Sequence, residues 1–274
     1  MSHAAQLLQL EQGFTTWVLY FFAYGFVGWL WESAYVSVQK RRWVNSGFLT
    51  GPVIPVYGFS MTAVLTLLAP WRDNLLALYL GSALVITVIE YVTSWLMERL
   101  FHARWWDYSN VPLNLNGRVA LPISAFWGLG VVALIKWLHP LVAQVVGHID
   151  TTYGMFAAFA LIAGLMFDFG FTLANLLAFG AATKRIGDTI EATKQELRAK
   201  AAATGAKLEQ EYPWLDQYRT SAARREKLPR LSYVQRRLLR SFPHLHLNDT
   251  RTSAAEIAAL ADLLRKRRKH DADQ

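Results

Sequence analysis

The sequence predicts an all-α, polytopic membrane protein with about five transmembrane helices and a basic, largely helical cytoplasmic C-terminal tail. Three observations carry that prediction. The 274 residues are 53% hydrophobic and only 18% charged, with a mean hydropathy of +0.19, which suits a surface that faces lipid. Five apolar segments, near residues 14–36, 52–69, 75–97, 120–138 and 154–178, come close to the ~20 residues of helix that cross ~30 Å of hydrocarbon. Charge is segregated: residues 1–178 hold eight Lys+Arg and eight Asp+Glu, while residues 179–274 hold 20 and 12, so the whole net charge of +8 lies in the last third. The chain accordingly reads as a transmembrane domain, 1–178, and a basic cytoplasmic tail, 179–274.

The first apolar segment reads as a retained span. Residues 1–13 carry no Lys or Arg, the apolar run is long, and no small-residue cleavage site follows it. Orientation follows from the short loops. Lys40, Arg41 and Arg42 fill the first loop and Arg99, Arg104 and Arg118 the third, whereas the second has only Arg72 and the fourth nothing beyond Lys136 at the end of its helix. The positive-inside rule then places the N-terminus outside the cell membrane and the tail in the cytoplasm.

Charges inside spans are costly, roughly 2.5–3.5 kcal/mol each on insertion scales, so each one needs a reason. Glu32, Glu90, Glu98 and Asp168 all fall in the inner halves of their spans. Span 3 sets Thr87, Glu90, Tyr91, Ser94 and Glu98 on one helical face. Span 5 repeats the pattern with Gly164, Asp168, Thr172 and Asn175. Span 1 offers Tyr24, Gly28 and Glu32 at steps of four, with Gly25 and Gly28 permitting close helix approach. Three polar stripes imply a shared cavity open to the cytoplasm, binding a cation, a headgroup or a polar solute. Interhelical hydrogen bonding and Glu-to-Arg pairing that merely fix the bundle are the competing explanation.

The third loop packs Asp107, Asn114, Asn116 and Arg118 among Trp105, Trp106 and Tyr108. An aromatic belt explains the rings but not the other four. The expected arrangement brings Glu32, Glu90, Glu98, Asp107, Asn114, Asn116, Arg118 and Asp168 to one cavity, with Arg118 beside a glutamate. Between spans 1 and 2, Pro52 and Pro55 break regular hydrogen bonding, which at membrane depth requires protein or water partners. Cys is absent, which removes thiolate chemistry. Carboxylates alone would favour a hard divalent cation, with Glu32, Glu90 and Glu98 as candidate ligands.

The tail predicts a helix over 184–211, weakened at Gly205 and ended by Pro213, and a final helix announced by Ser253 and Glu256 as a capping box. Between them, Arg224, Arg225, Arg236, Arg237 and Arg240 are interleaved with Tyr233, Leu238, Leu239 and Phe242. That pattern predicts a segment lying on anionic headgroups, the alternative being a solvated linker. No nucleic-acid module appears, so nucleic acid is not an expected partner.

The set Trp31–Glu32, Gly51–Pro52 with Pro55 and Tyr57–Gly58, Glu90 with Glu98, Trp106–Asp107–Tyr108–Ser109, Asn114 through Arg118, and Trp127–Gly128 resembles the bacterial putative ABC-transporter type IV (CmpB-like) permease family, over about residues 17–140. The Trp-Asp-Tyr-Ser and Asn-x-Asn-Gly-Arg elements are its most specific marks. The resemblance implies an inner-membrane transporter component and carries no catalytic residues with it. No G-x-x-x-x-G-K-[ST] loop occurs, so this sequence has no nucleotide site of that kind, and ATP hydrolysis would come from a separate ATPase subunit. Five spans are few for a permease, which points to a homodimer. Two other functions stay open: a non-catalytic scaffold recruiting a partner through its tail, and a metal-dependent enzyme acting on lipid headgroups.

The orientation is open to direct measurement, because the chain offers a natural Cys-free background. A Cys at Ser2 is expected to label from outside and one at Ser253 from the cytoplasm; the reverse pattern would overturn the assignment.

Overall fold

The computed structural model describes residues 3–177, 179–204, 214–215, 218, 228–242 and 245–272. The chain divides into two compact units, one of Met1–Leu96 with Tyr108–Thr172, the other of Met97–Asp107 with Leu173–Gln274.

The first unit is helical. α1 runs His3–Lys40, α2 Pro55–Leu67, α3 Leu75–Phe101, α4 Leu121–Ala133 and α5 His139–Leu176. α3 and α5 continue past the boundary into the second unit. Leu8–Lys40, Leu75–Phe101 and Leu121–Lys200 are long and apolar enough to cross a membrane, and Pro55–Leu67 is a shorter apolar helix. Helix thus occupies all five segments expected to span, yet α2 has only 13 residues, about 20 Å of helix. The fourth and fifth segments fall within one continuous stretch, in which Gly154 leaves helical geometry at φ 50°, ψ −138°.

Surface polarity is inverted relative to a water-soluble helix. On α3, Leu76, Leu80, Leu84, Val88 and Val92 recur at steps of four and are exposed, while Ser82, Ile86 and Ser94 are buried. A face of that kind needs an apolar solvent.

Helix packing in such a solvent relies on close backbone approach rather than on a hydrophobic drive. α1 and α2 meet at three glycines. A Cβ on Gly25 would lie 2.8 Å from Val53, one on Gly58 2.6 Å from the Phe21 carbonyl oxygen, and one on Gly28 2.3 Å from the Tyr57 ring. The buried core beside this crossing contains Tyr24, Met61, Val64, Leu68, Leu78, Ile86, Val131 and Ile135. Across α3 and α4, Thr87 donates to the Ser124 hydroxyl at 2.6 Å.

The irregular segment between α1 and α2 is tied down by side chains. Asn45 accepts from the Trp29 indole (2.9 Å) and donates to the Thr50 carbonyl (2.7 Å), and the Ser33 and Ser37 hydroxyls accept from the Ser46 and Val44 N–H groups. α2 then opens with Pro55, where a missing N–H costs nothing.

In the second unit, α6 (Phe179–Thr204), α7 (Tyr233–Ser241) and α8 (Ala254–Ala272) surround a core that includes Ile186, Ile190, Val234, Leu238, Ile257 and Leu260. Strand β1 (Ala103–Arg104) pairs antiparallel with β4 (His246–Leu247), and the Trp105 ring meets Phe242 edge-on at 4.9 Å. The sequence helix over 184–211 is found as α6, which ends just before Gly205; Leu208 and Pro213 lie outside the described residues. The Ser253–Glu256 capping box forms as expected. A second one, Ser232 with Gln235, starts α7.

Lys194 contacts Glu256 at 2.8 Å and Glu191 at 3.1 Å. Burial works against the Lys194 charge, but its bonds to Glu256 and Glu191 outweigh that and raise its pKa above the ordinary 10.5. Burial likewise opposes the Glu256 charge, and Lys194 together with Ser253 lowers its pKa below 4.5. A depressed carboxyl stabilises the fold above its unfolded pKa and loses that effect as pH falls; a raised amine does so below its unfolded pKa and loses it as pH rises. The contact should therefore stabilise the unit fully between about pH 4.5 and 10.5 and weaken on either side. Amide exchange in the full-length protein should show 186–197 and 254–264 losing protection together on acidification, with Lys194→Met flattening that response. Acid-insensitive exchange in the parent would contradict the analysis.

Candidate functional site

The glycine crossing creates the centre of the candidate site. Because Gly28 has no side chain, the Tyr57 ring lies against α1, packed edge-on with Trp127 at 5.5 Å. One turn further along α1 is Glu32, which interacts with the Tyr57 hydroxyl. Glu90, on α3, interacts electrostatically with Glu32 and accepts a hydrogen bond from the Tyr108 hydroxyl at 3.2 Å. Its other oxygen, Oε2, is buried with no hydrogen-bond partner among the described residues. Neither glutamate has a Lys, Arg or His partner among them. Burial, then the charge of Glu90 and the bond to it, hold the Tyr108 phenol well above its ordinary pKa, so it remains a donor.

Tyr108 is positioned by the third loop. Its N–H donates to the Gly117 carbonyl at 2.7 Å. Strands β2 (Asn114–Leu115) and β3 (Val119–Ala120) pair around Asn116–Gly117, where φ is positive at both residues (55° and 69°), as a primed turn requires. The Arg118 N–H closes this turn onto the Leu115 carbonyl at 3.1 Å. The Asn114 amide donates to the Ser109 and Val111 carbonyls and its oxygen accepts from the Gly117 N–H. Asn116 donates to the Tyr91 hydroxyl at 3.0 Å, and the Arg118 guanidinium lies over the Tyr91 ring at 5.5 Å. Asn114 thus shapes the loop, while Asn116 and Arg118 attach it to α3 through Tyr91, one residue from Glu90.

The remaining predicted carboxylates have other partners. Asp168 accepts from the Thr50 and Gly51 N–H groups at 3.0 and 2.7 Å and from Thr172 at 3.3 Å, pinning the segment that precedes α2. Glu98, in the second unit, takes two bonds from Arg104 (3.2 and 3.3 Å) and one from Asn248 (3.1 Å). Asp107 lies 3.6 Å from the same Arg104. Among the described residues no group of three or more His, Asp or Glu side chains is arranged to hold a metal ion.

Of the cations expected at a lipid surface, Arg224 and Arg225 lie outside the described residues. Arg236 donates to the Leu231 carbonyl and Arg240 pairs with Asp262. Arg237 is on α7, whose Leu238 and Leu239 are buried in the unit's own core rather than turned outward.

Tyr57 and Arg104 are functional neighbours that the residue patterns did not assign. The signal for Tyr57 was present, since Gly28 precedes Glu32 by one turn and a glycine there implies a large neighbour.

A family model described as putative ABC-transporter type IV matches residues 19–173, more than half of the chain, and the chain belongs to that family. The match spans all the residues around Glu32 and Glu90. No curated protein and no solved structure gives a significant match.

The dependence of the site on Gly28 can be measured against a neutral control on the same helix. Nothing lies within 4 Å of a Cβ built on Gly13, whereas one on Gly28 enters the Tyr57 ring. Gly13→Ala should be neutral or stabilising by up to about 1 kcal/mol, and Gly28→Ala should lower the melting temperature in detergent by an overpacking cost of roughly 1–3 kcal/mol. Equal effects from the two would remove the crossing from the argument.

Proposed function

Starting from that family membership, we propose that the protein is a permease-like transporter component of the cytoplasmic membrane, and that Glu32 and Glu90 bind a cationic ligand on its path. What carries the reading is the partnering of the two acids. Glu90 accepts from the Tyr108 hydroxyl and Glu32 interacts with that of Tyr57, and neither has a cation partner among the described residues, in a part of the chain whose outer faces are apolar. Phenols solvate a carboxylate but do not neutralise it, so the balancing charge must come from a proton or from the ligand.

The same proposal includes five spans, the fourth and fifth separated at Gly154, with the N-terminus outside and the tail in the cytoplasm. Lys and Arg in the first and third loops then put Glu32 and Glu90 on the inner side. Arg118 holds the third loop against Tyr91, leaving the glutamates to the ligand. Energy for transport would come from a separate ATPase, or from an ion gradient.

Binding can be sought without knowing the cargo. Full-length protein in detergent is heated with Mg²⁺, K⁺, tetramethylammonium or a linear diamine. At a hundredfold excess over Kd a ligand adds about 2.7 kcal/mol, or roughly 5–10 °C for a chain of this size. At least one cation should raise the melting temperature, and Glu32→Gln and Glu90→Gln should each abolish that rise. Without ligand, Glu90→Gln should melt no lower than the parent, because the amide keeps an acceptor for Tyr108 and removes an unneutralised charge. If no cation in the panel stabilises the parent, or if the glutamine variants respond equally, the site is structural.

A further inference from the structure

α3 and α4 end at different depths. Two contacts fix their register: Thr87 donates to the Ser124 hydroxyl at 2.6 Å, and a Cβ built on Gly128 would lie 3.0 Å from the Ala83 side chain. Four residues forward on α4 thus match four residues back on α3, so the helices run antiparallel and Leu121, the first residue of α4, is level with Glu90. From Glu90, α3 continues to Phe101, about 16 Å of further helix. Its 27 residues measure about 40 Å against a hydrocarbon layer of ~30 Å. Even with all of that excess projecting at the Phe101 end, Leu121 would begin about 6 Å inside the hydrocarbon, and with the excess shared between the two ends about 11 Å inside. The α3 side chains agree with that depth. Beyond Tyr91, Val92, Trp95 and Leu96 are still exposed, a surface for lipid and not for water.

Residues 108–120, a hairpin and not a helix, lead into α4 at this depth. Irregular backbone is tolerated inside a membrane only where protein or trapped water supplies its hydrogen bonds. Here the hairpin supplies its own. The β2–β3 ladder, the Asn114 side chain, and bonds from the Tyr108, Val111 and Leu121 N–H groups to the Gly117, Tyr108 and Leu113 carbonyls keep the backbone partnered. The tip is bonded to α3 through Asn116 and the Tyr91 hydroxyl, which sets it at the same level as Leu121.

The apolar side chains are disposed the opposite way. Leu113 and Leu115 are 72% and 57% exposed, and no Lys, Arg, Asp or Glu occurs from Ser109 to Gly117. Leu113 also holds a left-handed backbone at φ 56°, where a bulky residue is an outlier and Gly or Asn the ordinary occupant. Leu121, whose N–H is bonded to the Leu113 carbonyl at 3.2 Å, is itself exposed and joins the pair to Phe126 and Leu129, exposed on α4. The surface of the hairpin is therefore continuous with the apolar side of a span.

We infer that residues 108–120 form a re-entrant hairpin whose Leu113 and Leu115 lie against lipid acyl chains at the level of Glu90. Lipid is the partner because depth, missing charge and continuity with α4 all match hydrocarbon. The contact has a consequence for the site. Tyr108 is bonded to Gly117 within the hairpin, so the bilayer becomes part of what holds the Tyr108 hydroxyl at Glu90. The inference requires α3 to span the membrane; it requires neither a cation at Glu32 and Glu90 nor a particular orientation.

The Cys-free chain makes the test direct. Full-length Leu113→Cys and Leu115→Cys proteins, each carrying a nitrobenzoxadiazole fluorophore, are placed in phosphatidylcholine nanodiscs with or without bromine on the acyl chains. Leu129→Cys on α4 is the lipid reference and Ser253→Cys, in the second unit, the water reference. Brominated lipid should quench both hairpin positions to the same extent as Leu129→Cys, and aqueous iodide should quench them far less than Ser253→Cys. Iodide quenching equal to that of Ser253→Cys, with no effect of bromine, puts the hairpin in water and overturns the proposal. Insensitivity to both quenchers overturns it as well, since protein, a second copy or another partner, then covers the leucines. The unsubstituted protein gives a second reading. Amide exchange over 109–117 in nanodiscs, corrected for intrinsic rates, should be slower by about tenfold or more than over 69–74, the connection between α2 and α3, because a two-stranded hairpin in water is marginally stable and opens readily. Equal rates in the two segments sink the proposal even if the labelled variants fail to fold.

Discussion

Everything around the candidate site depends on how closely α1 and α2 can approach. Lipid offers helices no hydrophobic reward for meeting, so contact has to come from fit. Gly25, Gly28 and Gly58 provide it, with the Ile54 N–H bonded to the Gly25 carbonyl at 3.0 Å. The consequence is chemical as well as mechanical. A side chain on Gly28 would occupy the place of the Tyr57 ring, and without that ring Glu32 would lose the phenol with which it interacts. A 13-residue α2 is sufficient for this purpose, because its first turn carries Tyr57 and Gly58.

Four carboxylates that look alike in the sequence are told apart by their partners. Asp168 is committed to two backbone N–H groups, and Glu98 to a two-pronged Arg104 and to Asn248. Such acids are already satisfied, and removing their partners would leave half-buried charge uncompensated. Glu32 and Glu90 have phenols instead. Side-chain length contributes to this division: the short Asp168 reaches the Thr50–Gly51 backbone, while Glu90 extends far enough to meet Tyr108.

Much of this was legible in the sequence. Apolar run lengths located the helices, the four-residue step on α1 aligned Tyr24, Gly28 and Glu32, and Ser253 with Glu256 announced the start of α8. What the sequence withheld were relations across long separations. Nothing in the local pattern says that Asp168 will reach residues more than a hundred positions earlier, or that Arg104 will hold Glu98. The buried Leu238 and Leu239 were hidden for a related reason. An amphipathic basic helix has the same composition whether its apolar face meets lipid or a neighbouring helix, and only the position of Ile257 and Leu260 decides.

The choice of tyrosine as partner for both Glu32 and Glu90 is itself informative. A guanidinium beside either acid would make a closed ion pair, strong against loss of either member and unresponsive to anything smaller than its rupture. A phenol satisfies the geometry of a hydrogen bond and leaves the charge of its partner undetermined. Whatever balances the charge of such a centre, a proton or a cation, must then come from outside the pair. Helices held by glycine contacts can accommodate such a change, because their packing is set by backbone approach along α1 and not by the charge at its polar positions.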